Sequence, residues 1–379
     1  MANKKFFYAL ATLIGMIIGV GIFAIPYVCA QAGFSIGLFY LIVIGGVILF
    51  IHLFYGEIAL RTTKDHGLVC YAERFFGLVG KRIVGAIIIF EFYGALLAYL
   101  IVGGNFLSLI FKPILGGSDF LWVLVFFVFG ALIILFGLKT IGPAEFFMSL
   151  FLLFVAGVFI FRGAPLINPI NLSGINWVKF FLPYGVILFA LTGGAAIPEM
   201  RQILKGQERK LRTAIIWGTL IPVLICILFA LSVTGITGNA TTEDAISGLA
   251  PYFGQKIIIL GAIFGFLAVM TSFIVVGANL RRIFYRDYHL NNILAWALVC
   301  FVPLLGYLFG INNFIVIIGL VGAIAGGMEG VATILIWRRS KRRGDREPEY
   351  NLKIFKPVFY LLILMFILGI IYQLIYLAK

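Results

Sequence analysis

Ile14-Gly15-Met16-Ile17-Ile18-Gly19-Val20-Gly21-Ile22-Phe23-Ala24-Ile25-Pro26-Tyr27 decides how the rest of this chain is read. The stretch lies in an apolar run from Phe6 to Val28 that carries no charge after Lys5. About 20 such residues suffice to cross a bilayer as a helix. Yet Gly15, Gly19 and Gly21 lie close together and Pro26 follows. Glycine leaves helical geometry easily, while proline lacks an amide for the preceding turn and suits the start of a new helix. The pattern predicts a helix that stops near Gly19 and restarts before Pro26.

Unwound backbone at membrane depth is tolerated only where protein buries it or water reaches it, so a broken first span is a candidate binding site. The alternative is that Gly15 and Gly19, spaced as G-x-x-x-G, let a neighbouring helix approach closely. A second stretch carries the same punctuation: Phe189-Ala190-Leu191-Thr192-Gly193-Gly194-Ala195-Ala196-Ile197-Pro198-Glu199. It repeats the letters Ala24-Ile25-Pro26 as Ala196-Ile197-Pro198. Paired interrupted spans in corresponding halves of a chain point to a transporter site.

The composition agrees. Of 379 residues, 63% are hydrophobic and only 12% charged, which describes a polytopic membrane protein and excludes a soluble domain. Cys29, Cys70, Cys226 and Cys300 show neither metal-ligand nor redox spacing, and no cofactor is expected. The first apolar run is too long for the core of a signal peptide and lacks a small-residue cleavage site. Eleven spans are expected, near 6–28, 33–60, 82–111, 120–138, 143–162, 180–203, 213–236, 254–285, 291–310, 313–337 and 355–377. With the amino terminus inside, only Lys112, Arg162, Lys179, Lys256 and Lys379 of the 29 basic residues fall outside. The positive-inside rule therefore places the amino terminus in the cytoplasm and the carboxyl terminus outside, in a plasma (inner) membrane.

The formal charge of +14 reads as an insertion signal and an attraction to anionic lipid. Arg338 to Arg346 is a solvated cytoplasmic run, and no nucleic-acid partner is expected; nor is an obligate protein partner. The first span runs inside to outside and the sixth outside to inside. Spans one to five (6–162) and six to ten (180–337) can therefore form an inverted pair. Residues 1–340 make the transporter core, and 341–379 hold the end of a cytoplasmic loop and an eleventh span.

At this point the residues resemble a family. Gly19 to Tyr27, followed by Gln31-Ala32-Gly33-Phe34, resembles the first-span signature of amino-acid permeases of the amino acid-polyamine-organocation superfamily. The likeness is to the amino acid/auxin permeases and the bacterial aromatic amino-acid permeases. Phe189 to Glu199 is similar to their broken sixth span, and Ala98-Tyr99 with Gly103-Gly104 to their third. The resemblance implies the all-α leucine-transporter fold, with five plus five inverted spans, and a small-molecule amino-acid substrate.

An amino-acid zwitterion can be held by two broken helices without a charged side chain. Amides opening the half-helix after Gly21 offer a positive dipole end to the carboxylate. Carbonyls freed around Phe189 to Thr192 can accept from the ammonium. The expected substrate residues are Gly19, Gly21, Ile22, Tyr99, Phe189, Thr192 and Gly193, with Tyr99 and Phe189 as gate aromatics. Either aromatic is equally at home packing or facing lipid. The small run Gly193-Gly194-Ala195-Ala196 would leave room for a large apolar side chain.

Ala268, Thr271 and Ser272 put two hydroxyls and a carbonyl on nearly one helix face. This looks like the sodium site of sodium-coupled members of the fold, whose first-span carbonyls carry over to Gly15 and Ile18. The alternative is that both hydroxyls bond their own helix. Ile22 stands where a second sodium site would need a side-chain oxygen, so at most one sodium is expected. Proton coupling is the competing reading, with Glu91, Glu329, Glu57 and Glu199 as proton or gate carboxylates. For Glu57 and Glu199 an inner ion pair with Arg61, Lys139, Arg201 or Lys205 is favoured. His52 is read as an outer-half residue of span two, packed or bonded to backbone. The expected function is amino-acid import by alternating access with sodium as coupling ion. A sensor that binds an amino acid without transporting it is the alternative from another class. The enzyme motifs H-E-x-x-H and G-x-S-x-G are absent, so an intramembrane enzyme is not expected.

Overall fold

The computed structural model describes residues 2–63, 67–136, 154–286 and 288–377. Lys64, Lys139 and Glu145, and most of the fifth span expected at 143–162, lie outside the described residues. Among the described residues the protein is helical with no strand. The first span is α1 (Ala2–Ile17) and α2 (Gly21–Ala32), bent by 52° at their junction. It stops and restarts close to where the glycines predicted. Pro26 differs from expectation: it stands inside α2 rather than in its first turn. Lacking an amide, it leaves the Ile22 carbonyl without its helical donor.

Next come α3 (Phe34–Arg61), α4 (Leu68–Leu115) and α5 (Asp119–Phe136). The third span was expected to begin near residue 82, but α4 starts at Leu68 and turns at Gly77, whose φ of 71° a side chain would resist. Helix α6 (Phe154–Leu166) leads to the second interrupted span, α7 (Leu182–Leu191) and α8 (Ile197–Ile203). Here Pro198 does sit in the first turn of the new helix. The rest is α9 (Leu211–Thr237), the single turn α10 (Ala250–Phe253), α11 (Gln255–Arg286) and α12 (Asn292–Leu308). The chain finishes with α13 (Phe314–Val321), α14 (Gly327–Arg343) and α15 (Lys356–Leu377), a π-helical turn over Gly322–Gly326 joining α13 to α14.

Eight of these stretches are long and apolar enough to cross a membrane, nine with the bent α1–α2 pair. Phe154–Leu166 and Asn292–Leu308 are apolar but shorter. The outer surface explains the composition: Phe39, Ile42, Phe129 and Leu361 are each half exposed or more, as helices facing hydrocarbon require.

Two groups of helices pack together. Helices α1, α2, α3, α7, α8 and α9 form one, and α4, α5, α11 and α12 the other. The α13–α14 pair touches both, and α15 lies against α14. Glycines set the closest approaches, as lipid-embedded helices need. A Cβ on Gly185 would fall 2.0 Å from the Gly319 carbonyl, and one on Gly322 would lie 1.9 Å from the Gly185 carbonyl. These reciprocal contacts press α7 onto the π turn. Phe106, Phe126 and Phe273 fill the second group's interior against Gly265, Gly103 and Gly130.

Candidate functional site

The two breaks meet. A Cβ on Gly21 would sit 2.6 Å from the Ala190 Cα, and one on Gly193 would sit 2.5 Å from the Ile17 side chain. Around this crossing lies a cavity of about 360 Å³, inside the roughly 300–1,000 Å³ typical of small-molecule sites. Gly19, Gly21, Tyr99, Phe189, Thr192 and Gly193 line it, so six of the seven expected substrate residues come together. Ile22 does not: it is buried in the core, turned from the space. The cavity runs to Gly67–Val69, Asn279 and Arg282–Ile283, the end of the bundle read as cytoplasmic.

The small run differs from its expected use. Gly193 is small because Ile17 packs on it, and Gly194 because the Tyr55 ring would lie 3.1 Å from a Cβ there. The open space is at Gly19, where a Cβ would meet nothing within 4 Å.

Hydrogen bonds at the breaks show which backbone groups are released. The Gly19 amide bonds to the Ile17 carbonyl at 3.0 Å, so Gly15 loses its helical donor. The Ile22 amide bonds to Gly19 at 3.4 Å, which releases the Ile18 carbonyl in the same way. Those are the two first-span carbonyls expected to face a cation. On α11, the Thr271 hydroxyl donates to the Ala268 carbonyl at 2.9 Å, the local bond that competes with a ligand role. Ser272 is half-buried beside it.

At the second break the Thr192 amide takes the Phe189 carbonyl at 3.4 Å, and its hydroxyl donates to Leu188 at 2.8 Å. The Gly193 amide, denied its helical acceptor, donates instead to His52 Nε2 at 3.3 Å. His52 is therefore at the level of the break, past the midpoint of α3, not in its outer half. The sequence signal was slight: His52 and Tyr55 share a face at i, i+3, and both meet the break.

The four acids separate. Glu91 on α4 and Glu329 on α14 both line the cavity, close enough for their carboxyl groups to interact. Glu329 Oε1 lies 3.8 Å from the Cβ position of Gly194. Glu57 is away from the cavity and wholly buried. It accepts from Arg61 Nε (2.9 Å) and Nη2 (2.8 Å), Trp337 Nε1 (2.8 Å) and the Leu352 amide (2.9 Å). The expected pairing with Arg61 is present, and it ties α3 to α14 and the loop beyond. Glu199 stands exposed in the first turn of α8, where a carboxylate complements the helix dipole. Tyr55, Asn279 and Arg282 complete the polar part of the lining, and none was singled out from sequence.

Residues 2–373 match the profile of the tryptophan/tyrosine permease family, and the chain belongs to that family. It is 26% identical over 352 residues to the tyrosine-specific transport system 1 of Haemophilus influenzae, covering 87% of each. With the glutamine transporter 2 of Aliivibrio fischeri it shares 24% over 332 residues, covering 85% of this chain and 86% of that one. Among solved structures it superposes on MhsT in complex with L-phenylalanine with a TM-score of 0.66. That match has 14% identity and covers 97% of both chains, which establishes the leucine-transporter fold. The protein is a multi-pass membrane permease of an amino-acid transport family, not an enzyme.

Proposed function

We propose that this permease imports a large neutral amino acid, aromatic ones foremost, by alternating access across a plasma membrane. The observation that carries the reading is the single cavity lined by both helix breaks. Freed amides at the start of α2 suit the substrate carboxylate, and carbonyls released near Leu191 suit its ammonium. Open space at Gly19, with Phe189 and Tyr99 on the walls, suits a planar side chain. The family's name and its tyrosine and glutamine relatives support a substrate of this size. The cavity opens towards the basic end of the bundle, so this conformation is the inward-facing one, with the amino terminus cytoplasmic and the carboxyl terminus outside.

The coupling ion has two readings, each with its own observation. Sodium is favoured by the released Gly15 and Ile18 carbonyls, two of the five neutral oxygens expected with Ala268, Thr271 and Ser272. A proton is favoured by the Glu91–Glu329 pair beside the second break. Either ion would act by raising the substrate's affinity in one state, and the substrate would raise the ion's by the same factor.

Proteoliposomes with radiolabelled tyrosine, phenylalanine, tryptophan, leucine, glutamine and glycine, under separate sodium and pH gradients, test both parts. Strong preference for glycine over the large side chains would overturn the substrate class. Under sodium coupling, joint Thr271→Ala and Ser272→Ala substitution raises the sodium requirement. Under proton coupling, Glu91→Gln abolishes pH-driven accumulation but keeps exchange of labelled for unlabelled substrate.

A further inference from the structure

The second break poses a problem that the first does not. At the first, the Gly19, Ile22 and Phe23 amides bond carbonyls within the same turn (Ile17, Gly19 and Val20), while Val20 and Gly21 line the cavity. At the second, Thr192 runs extended (φ −66°, ψ 128°) and its amide uses the Phe189 carbonyl, which Gly193 would otherwise have taken. Gly193 is buried, with Ile17 and Leu13 packed where its Cβ would be. An amide left there without an acceptor would forfeit a hydrogen bond. The acceptor comes from another helix. His52 on α3, itself 1% exposed, presents Nε2 to the Gly193 amide at 3.3 Å and Nδ1 to the Thr219 hydroxyl of α9 at 2.9 Å.

That geometry fixes the state of the imidazole. Nε2 faces a donor and must hold a lone pair, so the proton is on Nδ1 and is given to Thr219 Oγ1. An imidazolium would set one N–H against another. Neutral His52 thus competes with the Phe189 carbonyl for one amide, and by holding it prevents α7 from winding onward through Gly193.

We propose that His52, held by Thr219, is the positioning residue that keeps the second break open and so shapes the substrate site. His52 is not itself part of the lining; it acts through Gly193, which lines the cavity with Thr192, Gly194 and Ala195. The part of the inference that concerns substrate rests on the amino-acid reading above, whereas the tautomer and the break do not.

The test uses the full-length permease in nanodiscs. Histidine-selective ¹⁵N solid-state NMR should show one buried histidine protonated at Nδ1 and bare at Nε2. Hydrogen exchange across 190–196 should change in His52→Leu while exchange elsewhere in α3 and α9 stays as it was. Equilibrium binding of tyrosine should weaken about tenfold, the size of one lost hydrogen bond near 1.4 kcal/mol. His52→Gln, whose amide can accept from Gly193 and donate to Thr219, should recover most of that affinity. Thr219→Val should fall between and shift the tautomer signal.

An Nε2-protonated imidazole overturns the proposal. So does His52→Leu with unaltered exchange at the break, or a lowered melting temperature with unaltered tyrosine affinity, the mark of a merely structural residue. Should His52→Leu not fold, the NMR signature and the His52→Gln and Thr219→Val binding series decide the matter. If the unaltered protein binds no amino acid, the functional reading fails, while the exchange and NMR results still judge His52.

Discussion

Replacing Gly21 by alanine sets two known effects against each other, and the structure says which prevails. Gly21 opens α2 with helical geometry, and an alanine in such a position ordinarily gains about 0.5–1 kcal/mol over glycine. Here the new methyl would stand 2.6 Å from the Ala190 Cα and 2.7 Å from its Cβ. Carbon atoms rest about 3.5–4.0 Å apart, so the two broken spans would have to separate by roughly 1 Å. The obstructing atoms are a backbone carbon and a methyl, neither of which has a rotamer to move away by. Overpacking of this kind costs about 1–3 kcal/mol, and with the propensity gain subtracted a net loss of about 1–2 kcal/mol remains. That corresponds to about a 5- to 30-fold change in an equilibrium. We expect Gly21→Ala to melt earlier in detergent and to bind tyrosine correspondingly more weakly. Gly19→Ala is the control: its methyl meets nothing within 4 Å but enters the cavity, so the melting temperature holds while substrate affinity falls. A Gly21→Ala protein as stable and active as the parent, or a Gly19→Ala protein that melts before it, would refute the packing of the two breaks.

Two further outcomes concern the end of the bundle where Arg61 and Asp345 lie. Glu57→Gln leaves the Arg61 guanidinium buried without its counter-charge, and breaking such a pair costs about 3–5 kcal/mol; a marked fall in melting temperature is expected, with partial recovery on adding Arg61→Leu. Asp345 accepts from the Thr63 amide at 3.1 Å and pairs with Arg74, and chiefly that amide holds its carboxyl below the ordinary range. A depressed value in the folded state means a contribution present above the ordinary carboxylate pKa of about 4 and lost as pH falls. Amide exchange over 344–350 should therefore rise below about pH 4, and Asp345→Asn should show the faster exchange already at pH 7.

Local chemistry was what the sequence expressed best. The glycine at 19 and the run at 193–194 mark departures from helical geometry, and those departures follow the ends of α1 and α7. The apolar lengths and the family likeness carried the fold. What could not be read was contact between distant positions. Glu91 and Glu329 each looked like an isolated acid in an apolar span; that they line one cavity together depends on how α4 and α14 are set side by side. Gly185, Gly319 and Gly322 were invisible for the same reason, since a glycine that admits another helix's carbonyl resembles any other. The π turn at Gly322–Gly326 leaves no mark beyond small residues, although such turns recur at functional positions.

The repeated letters Ala-Ile-Pro suggest two equivalent breaks, yet the hydrogen bonds make them different devices. In the first span Pro26 stands beyond the turn, the Gly19, Ile22 and Phe23 amides rebond within the turn itself, and the carbonyls of Gly15 and Ile18 lose their helical donors. A surplus of carbonyls is an acceptor site, suited to a cation. In the second span Pro198 lies in the restarting turn, and the displaced Gly193 amide is met by a side chain from another helix. A buried surplus donor must be met by an acceptor from elsewhere, and that is why a neutral histidine of α3 is drawn into the break. The first break, bent by 52°, takes its partners for the Gly19, Ile22 and Phe23 amides from its own backbone. The second cannot rearrange without also moving His52, so motion there is tied to α3 and α9. The asymmetry assigns the freely bending half to α1 and the anchored half to α7 and α8.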